Sequence, residues 1–204
     1  MLRAVIFDLD GVLADACDLH RQAFNQALQE VVGYQIPKDE LPKYEGLPTK
    51  NKLLILSNAG VVPHGAHEEI SALKQEITHG LLHRHIGYSM PVVHMMRRLA
   101  HEGIKTAVVT NCTEKSARIM MQNLGITDYV KMVVTSEDVQ HPKPDPEGLN
   151  KAMRMLDVKP DEVIYVGDQT VDGRAAYAAG IDRFICVNST SEVCWELLRC
   201  RVSK

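Results

Sequence analysis

Five short runs of β-branched and other apolar residues constrain the fold of this 204-residue chain more than any other feature. The runs occupy residues 4–7, 105–109, 132–134, 163–166 and 184–187. Helical patterns alternate with the later runs: Pro91 and Pro146 suit the first turns of two helices, and Thr113 or Ser116 can open a third. Strands that alternate with helices form parallel sheets that are buried on both faces. We therefore predict an α/β fold with a three-layer, Rossmann-like parallel sheet core.

Residues 15–88 lack a convincing strand and have the pattern of helices. Apolar residues recur at helical spacing over about 18–32, from 49 onward and over 66–81. A helical block inserted directly after the first strand would lie as a cap over the carboxyl edge of the sheet. We predict a core domain of residues 1–14 and 89–204 and an inserted all-helical cap domain of residues 15–88.

Composition excludes several classes of partner. The 23 basic and 26 acidic residues are spread along the chain without a basic stripe interleaved with aromatic residues, so we do not expect binding to nucleic acid. No apolar run approaches the roughly 20 residues that span a bilayer, so we expect no membrane insertion. The five cysteines form no CxxC pair, which suits a reducing cytoplasm. Composition leaves open whether the protein is a monomer or a small homo-oligomer.

Carboxylates follow two of the predicted strands directly. Asp8 and Asp10 come after the first strand, with Gly11 allowing a tight turn, and Asp168 and Asp172 follow the fourth. Each pair has a plain alternative, an acidic turn for the first and a carboxylate near a helix N-terminus for Asp172. Because the carboxyl ends of parallel strands share one edge of the sheet, the four side chains are expected to converge there. Oxygen ligands from two loops suit Mg²⁺, which we predict as the cofactor.

Two further loops carry groups suited to an anion. Thr110 and Asn111 follow the second strand and offer a hydroxyl and backbone N–H groups near a helix start, although an N-cap would explain the same residues. Pro142 and Pro144 flank Lys143 and hold it in a stiff, extended loop. A surface lysine is the alternative there. We predict that Lys143 points toward the acidic edge of the sheet.

The helical block supplies the candidates for substrate selection. His20 could touch the substrate or move a proton, or it could be a packing histidine. Lys50 and Lys52, at the start of the second predicted helix, could reach an anionic substrate or merely solvate the surface. The positions predicted to select the substrate lie just before and at the start of the second predicted helix and are Glu45, Gly46, Thr49 and Lys50.

Four ordered segments resemble the motifs of the haloacid dehalogenase superfamily. They are DLDGVL at 8–13, VVTN at 108–111, HPKPDPE at 141–147 and GDQTVDGRAAYAAG at 167–180. Together they cover nearly the whole chain in the family's order. The segments around His20 and from Gly46 to Thr49 are similar to the branch that contains phosphoglycolate phosphatase and beta-phosphoglucomutase, whose helical cap follows the first motif.

The resemblance implies a phosphoric monoester hydrolase that acts on a small phosphorylated metabolite. Asp8 would attack phosphorus and form an aspartyl-phosphate, and Asp10 would act as general acid and then general base. The implied Mg²⁺ ligands are Asp8, Asp10 through its main-chain carbonyl, Asp168 and, as a ligand or close neighbour, Asp172.

The remaining motif residues would hold the transferring group. The resemblance implies that Thr110 and the N–H of Asn111 bind the phosphoryl group, while Lys143 balances its charge. Dehalogenases of this superfamily need neither a metal nor a second acid at the position that Asp10 occupies here, so halide displacement is not expected. A sugar phosphomutase is the nearer alternative, but the Gly-Asp form of the fourth motif favours a phosphatase. A catalytically idle domain that binds phospho-ligands or partners is the third hypothesis.

Overall fold

A computed structural model describes the backbone of residues 1–202 and the side chains of residues 1–198. The end of the predicted core range, residues 203–204, lies outside the described residues, as does the side chain of Cys200. None of the helices within this part of the chain combines the length and the apolar character needed to cross a bilayer.

The five predicted strands form one parallel sheet. Their bounds are β1 Ala4–Phe7, β2 Lys105–Val109, β3 Met132–Val134, β4 Val163–Gly167 and β5 Phe184–Cys186, in the order β3-β2-β1-β4-β5. Ala4 on the central strand is in register with Lys105 on one side and Val163 on the other. The prediction of an α/β fold with a parallel sheet is confirmed.

Eight α-helices accompany the sheet within the described residues. They are α1 Cys17–Val32, α2 Thr49–Asn58, α3 His67–His85, α4 Met90–His101, α5 Glu114–Leu124, α6 Glu147–Leu156, α7 Thr170–Ala178 and α8 Trp195–Val202. Short 3₁₀ helices span Leu41–Tyr44, His64–Ala66, Pro160–Glu162 and Thr190–Glu192.

Alternation along β1 produces the three layers. Successive side chains of a strand point to opposite faces, so Val5 and Phe7 join the apolar cluster that contains α4 and α5. Ala4 and Ile6 join the cluster that contains α6 and α7. The sheet is therefore covered on both faces, as its uninterrupted apolar strands require.

Helices α1, α2 and α3 enclose a small apolar cluster of their own, with Phe24, Leu53 and Ile70 among its buried members. The last turn of α3 leaves that cluster, because Leu82 packs with the sheet side of the molecule and its carbonyl accepts a hydrogen bond from Asn123 Nδ2 at 3.3 Å. The helical character of this stretch agrees with the sequence. Its division from the core at residues 15 and 88 stays a prediction.

Backbone hydrogen bonds fix the loops at the carboxyl edge of the sheet. Asp8 N–H donates to the Val166 carbonyl at 2.8 Å, and Thr110 N–H donates to the Val134 carbonyl at 2.9 Å. Gly11 has a φ of +77°, and a Cβ built on it would lie 2.2 Å from Asp168 Oδ2. The turn after β1 therefore packs directly against the Asp168 side chain, and a side chain at position 11 would collide with that carboxylate.

Candidate active site

One cavity of about 700 Å³ lies between the carboxyl edge of the sheet and helices α1 to α3. Eleven of the twelve residues predicted from the sequence for catalysis, binding or metal coordination line it. They are Asp8, Asp10, His20, Glu45, Gly46, Thr49, Lys50, Thr110, Asn111, Lys143 and Asp168. Asp172 is the exception, because it lies wholly buried behind Lys143.

Lys143 is the centre of a buried network. Its Nζ lies 2.8 Å from Asp8 Oδ1 and 2.6 Å from Asp172 Oδ1, and it also donates to the Val109 carbonyl at 3.1 Å. The hydroxyl of Tyr165 lies 3.2 Å from the same Nζ and donates to Asp172 Oδ1 at 2.7 Å. The Lys143–Pro144 peptide bond is cis. The lysine that the sequence placed in a stiff loop is therefore buried and fully paired.

The electrostatics of this network favour a charged lysine. Burial on its own would lower the pKa of Lys143, but Asp8, Tyr165 and Asp172 raise it well above its usual value. Burial raises the pKa of Asp8 well above its usual range, and the neighbouring Asp172 adds to the rise against the effect of Lys143. Two carboxylates share one ammonium here, so the cluster carries an excess of buried negative charge.

The acidic groups fit a divalent cation. Carboxylate oxygens of Asp8, Asp168 and Asp172 lie within 4.8 Å of one another. Asp10 Oδ1 and Asp168 Oδ1 are buried and have no hydrogen-bond partner among the described residues. Burial raises the pKa of Asp168, as expected for a carboxylate without a compensating charge. A cation with oxygen ligands would satisfy these atoms and offset the excess charge.

Asp172 itself has little capacity left for a metal. Its Oδ1 is bonded to Lys143 and Tyr165, and its Oδ2 lies 3.3 Å from Asp168 N–H and 3.0 Å from Gln169 N–H. Gln169 Nε2 in turn donates to Asp168 Oδ2 at 2.8 Å. These contacts make Asp172 an orienting group for Lys143 and for the loop that carries Asp168.

Asp10 is linked to the helical block through a histidine. His20 Nε2 lies 3.2 Å from Asp10 Oδ2, and His20 Nδ1 lies 3.3 Å from Lys74 Nζ. Burial alone would raise the pKa of Asp10, but His20, with help from Lys74, more than offsets it and lowers that pKa. The contact gives Asp10 a neighbour that can exchange a proton with it.

Thr110 and Asn111 meet the site in different ways. The Thr110 hydroxyl is buried and accepts a hydrogen bond from Cys112 N–H at 3.2 Å. The Asn111 amide pairs with the backbone of Lys143 on both sides, accepting from its N–H at 3.0 Å and donating to its carbonyl at 2.9 Å. Its Nδ2 also donates to the Gly46 carbonyl at 2.9 Å. Asn111 therefore joins the lysine loop to the helical block, a role that its position in the sequence did not reveal.

The predicted substrate-selecting residues of the helical block differ in their exposure and contacts. Glu45 pairs with Arg21 at 3.2 Å, Lys50 is exposed at the rim, and Thr49 begins α2. Gly46 has a φ of +69°, and a Cβ on it would lie 2.9 Å from a methyl group of Val171. The backbone at this position thus rests directly on the core.

Sequence reasoning missed Tyr165 and Lys74. Tyr165 lies inside β4 and was read only as part of an apolar strand. Lys74 is 8% exposed and follows Ile70 by four residues, on the buried side of α3 that also holds Thr78 and Leu81. A lysine on an otherwise buried helical stripe is a signal that could have identified it.

Comparisons with known proteins identify the family and the fold. The profile of the haloacid dehalogenase-like hydrolase family matches residues 5–186. The pyrophosphatase PpaX of Bacillus cereus is 27% identical over 196 residues, which cover 96% of this chain and 85% of that protein. The beta-phosphoglucomutase of Clostridium difficile superposes with a TM-score of 0.82 at 20% identity, covering 100% of this chain and 98% of that chain. CbbY of Rhodobacter sphaeroides, solved in complex with phosphate, superposes with a TM-score of 0.82 at 22% identity, covering 95% of this chain and 96% of that chain. Both structural likenesses concern the fold.

Proposed function

This chain belongs to the haloacid dehalogenase-like hydrolase family, and from that premise we propose that it is a Mg²⁺-dependent phosphatase acting on a small phosphorylated molecule through Asp8. One observation carries the proposal. Asp8, Asp10, Lys143 and Asp168, which are far apart in the sequence, all line a single cavity. A phosphate ester in that cavity would meet a nucleophile, a proton donor, a cation and a metal site together.

Asp8 supplies the nucleophile. Among residues 1–198, hydrogen bonds reach only its Oδ1, from Leu9 N–H at 2.7 Å and from Lys143 at 2.8 Å, so the carboxylate keeps an oxygen for the substrate side. An Asp8 oxygen forms a bond to phosphorus while the bond from phosphorus to the leaving oxygen breaks. Asp10 gives its proton to that leaving oxygen, which is worth roughly 10² to 10⁴-fold in rate.

Asp10 and His20 complete the second half of the reaction. Asp10, now a carboxylate, takes a proton from a water molecule, whose oxygen attacks phosphorus and releases phosphate from Asp8. Asp10 would then carry this proton beside His20, because Asp10 Oδ2 lies 3.2 Å from His20 Nε2. This arrangement supports repeated use of Asp10 as acid and base.

Mg²⁺ would be held by Asp8, Asp168 and the backbone carbonyl of Asp10. Asp172 would orient Lys143 and the loop that carries Asp168. When bound, the cation neutralises phosphoryl oxygens so that an anionic nucleophile can approach them. Lys143 supplies a fixed positive charge, and Thr110 and the N–H of Asn111 supply hydrogen-bond donors for the same oxygens.

Residues 15–88 act in this proposal as a cap. Closing them over the cavity excludes water from the phosphoryl group and strengthens each charge interaction inside. The Asn111 contact to the Gly46 carbonyl supports a closed position for the loop that leads into α2.

The substrate is proposed as a phosphate monoester, with pyrophosphate as the second candidate because a relative matched along 96% of this chain is named a pyrophosphatase. The same residues could act on either, since the leaving oxygen belongs to an alcohol in one case and to phosphate in the other. A mutase would return a phosphorylated isomer, whereas a phosphatase releases inorganic phosphate.

Phosphate release from a panel of metabolites and pyrophosphate tests the proposal. We expect turnover that needs Mg²⁺ and stops with EDTA, and we expect Asp8→Asn to abolish it while circular dichroism stays unchanged. Asp128→Asn, which alters an exposed carboxylate outside the cavity, is the matched control and should keep full activity. Turnover retained by Asp8→Asn would exclude the covalent route, and a phosphorylated isomer in place of free phosphate would identify a mutase.

A further inference from the structure

Among the described residues, three lysines that line the cavity have no carboxylate partner. Five lysine and arginine side chains line it in all. Lys143 is paired with Asp8 and Asp172, and Arg21 is paired with Asp18 at 2.9 Å and with Glu45. The remaining three are Lys50, Lys52 and Lys74.

These three differ in their surroundings. Lys50 is exposed, and the Lys74 ammonium contacts His20 at 3.3 Å. Lys52 is half-buried, and the described residues offer it no hydrogen bond or ion pair. Its ammonium instead lies 5.6 Å from the centre of the Phe24 ring. A partly desolvated ammonium that has only an aromatic face beside it is an incomplete site for an anion.

The position of Lys52 indicates which part of a substrate it would meet. Lys143 and the acidic cluster at the sheet edge are assigned to the transferred phosphoryl group. Lys52 lies on α2, in the helical block, and shares the block's side of the cavity with Lys74. The two ammonium groups repel each other, and this repulsion adds to burial in lowering the pKa of Lys52 to about 8. An anion between them would relieve the repulsion.

We propose that Lys52, together with Lys74, binds a second anionic group of the substrate, either a carboxylate or another phosphate. The proposal rests on the proposed phosphatase function and narrows its substrate class to phosphate esters of small acids, bisphosphates and diphosphates. Lys52 contributes to specificity and takes no part in bond breaking.

Matched substrates test the proposal. Carboxymethyl phosphate and ethyl phosphate are two-carbon esters that differ in a terminal carboxylate, and propane-1,3-diol bisphosphate and monophosphate differ in a second phosphate. In at least one pair, we expect the wild type to have the higher kcat/KM for the compound that carries the second anionic group. Lys52→Met should reduce that ratio by roughly 10 to 100-fold, the loss expected for one charge-assisted contact. Lys52→Arg should keep most of the ratio.

The exposed Lys38, in the loop after α1, provides the control. Lys38→Met should leave both ratios unchanged. The proposal would be overturned if Lys52→Met lowered kcat/KM equally for both members of each pair. It would also be overturned if the wild type had the same kcat/KM for both members of each pair. The pair that responds identifies the second anion as a carboxylate or a phosphate.

A binding measurement separates this inference from the proposed function. Calorimetric titration of Asp8→Asn with the same four compounds needs no turnover. Tighter binding of the compound with the second anion, lost on adding Lys52→Met, supports the inference even if no ester is hydrolysed. Equal affinity within both pairs, or no binding of any compound, refutes it whatever the outcome of the phosphate-release assay.

Discussion

Replacing Tyr165 by phenylalanine removes one oxygen atom from the centre of the buried network and little else. The ring is fully buried and packs against Phe184, with 5.8 Å between the ring centres, so the packing stays in place. The lost hydroxyl donates to Asp172 at 2.7 Å and lies 3.2 Å from Lys143 Nζ. The substitution therefore tests how much this hydroxyl contributes to stability.

The magnitude follows from the groups that lose the contact. A hydrogen bond to a charged group contributes about 1.5–3 kcal/mol, but Asp172 Oδ1 keeps its contact with Lys143. We therefore expect Tyr165→Phe to lower the free energy of unfolding by about 2 kcal/mol. For a chain of this length that loss corresponds to a fall in Tm of about 4–8 °C. Lys143 keeps Asp8 as a partner, so phosphate release should fall by no more than about tenfold.

Urea denaturation and thermal unfolding measure the change, and a second tyrosine provides the control. Tyr177 on α7 is 87% exposed, so Tyr177→Phe should change the free energy of unfolding by less than about 0.5 kcal/mol. If Tyr165→Phe is as stable as Tyr177→Phe, the hydroxyl contributes nothing to the network and the reasoning is wrong.

Two further predictions concern the cavity. Gly11→Ala should lose about 1–2 kcal/mol through its positive φ and, in addition, displace Asp168, so that the Mg²⁺ concentration for half-maximal phosphate release rises. Gly33→Ala has a similar φ of +69° with nothing within 4 Å of the added carbon, so it should show the stability loss alone, and an unchanged Mg²⁺ requirement in both variants would refute the contact. Lys52 has a pKa lowered to about 8 by burial and by Lys74, with Asp10, Glu45 and Cys17 acting in the opposite direction. The unfolded chain then binds more protons than the folded one between pH 8 and the ordinary lysine pKa of about 10.4, so stability gains from this group as pH rises through that window. The Tm advantage of Lys52→Met over the wild type should therefore shrink from pH 7 to pH 10, and a constant difference would contradict the assigned pKa.

The sequence predicted the parts of the site that follow strands directly. In a parallel sheet the position of a residue just after a strand is set by the strand itself, so Asp8, Asp10 and Asp168 could be placed at one edge from local pattern alone. Lys143 could be predicted as a site residue because two prolines restrict its loop. Its burial against Asp172 required the folded structure.

Contacts that depend on tertiary packing could not be predicted. Tyr165 has the apolar neighbours of any buried strand residue, and only the position of Asp172 above it shows why the hydroxyl is there. The Asn111 amide bonds to a carbonyl 65 residues earlier in the chain, a distance that no local pattern spans. Lys74 belongs to a helix whose buried side becomes evident once α1 packs against α3.

The double attachment of the Asn111 amide has a consequence for how a substrate could enter. Lifting the helical block would break the single bond to the Gly46 carbonyl but neither of the two bonds to the Lys143 backbone. The part of the site proposed to hold phosphate would then remain assembled while the entrance stands open. A substrate would arrive at charges already in place, and the contact of His20 with Asp10 and the selection of the distal end would wait for the return of α1 and α2.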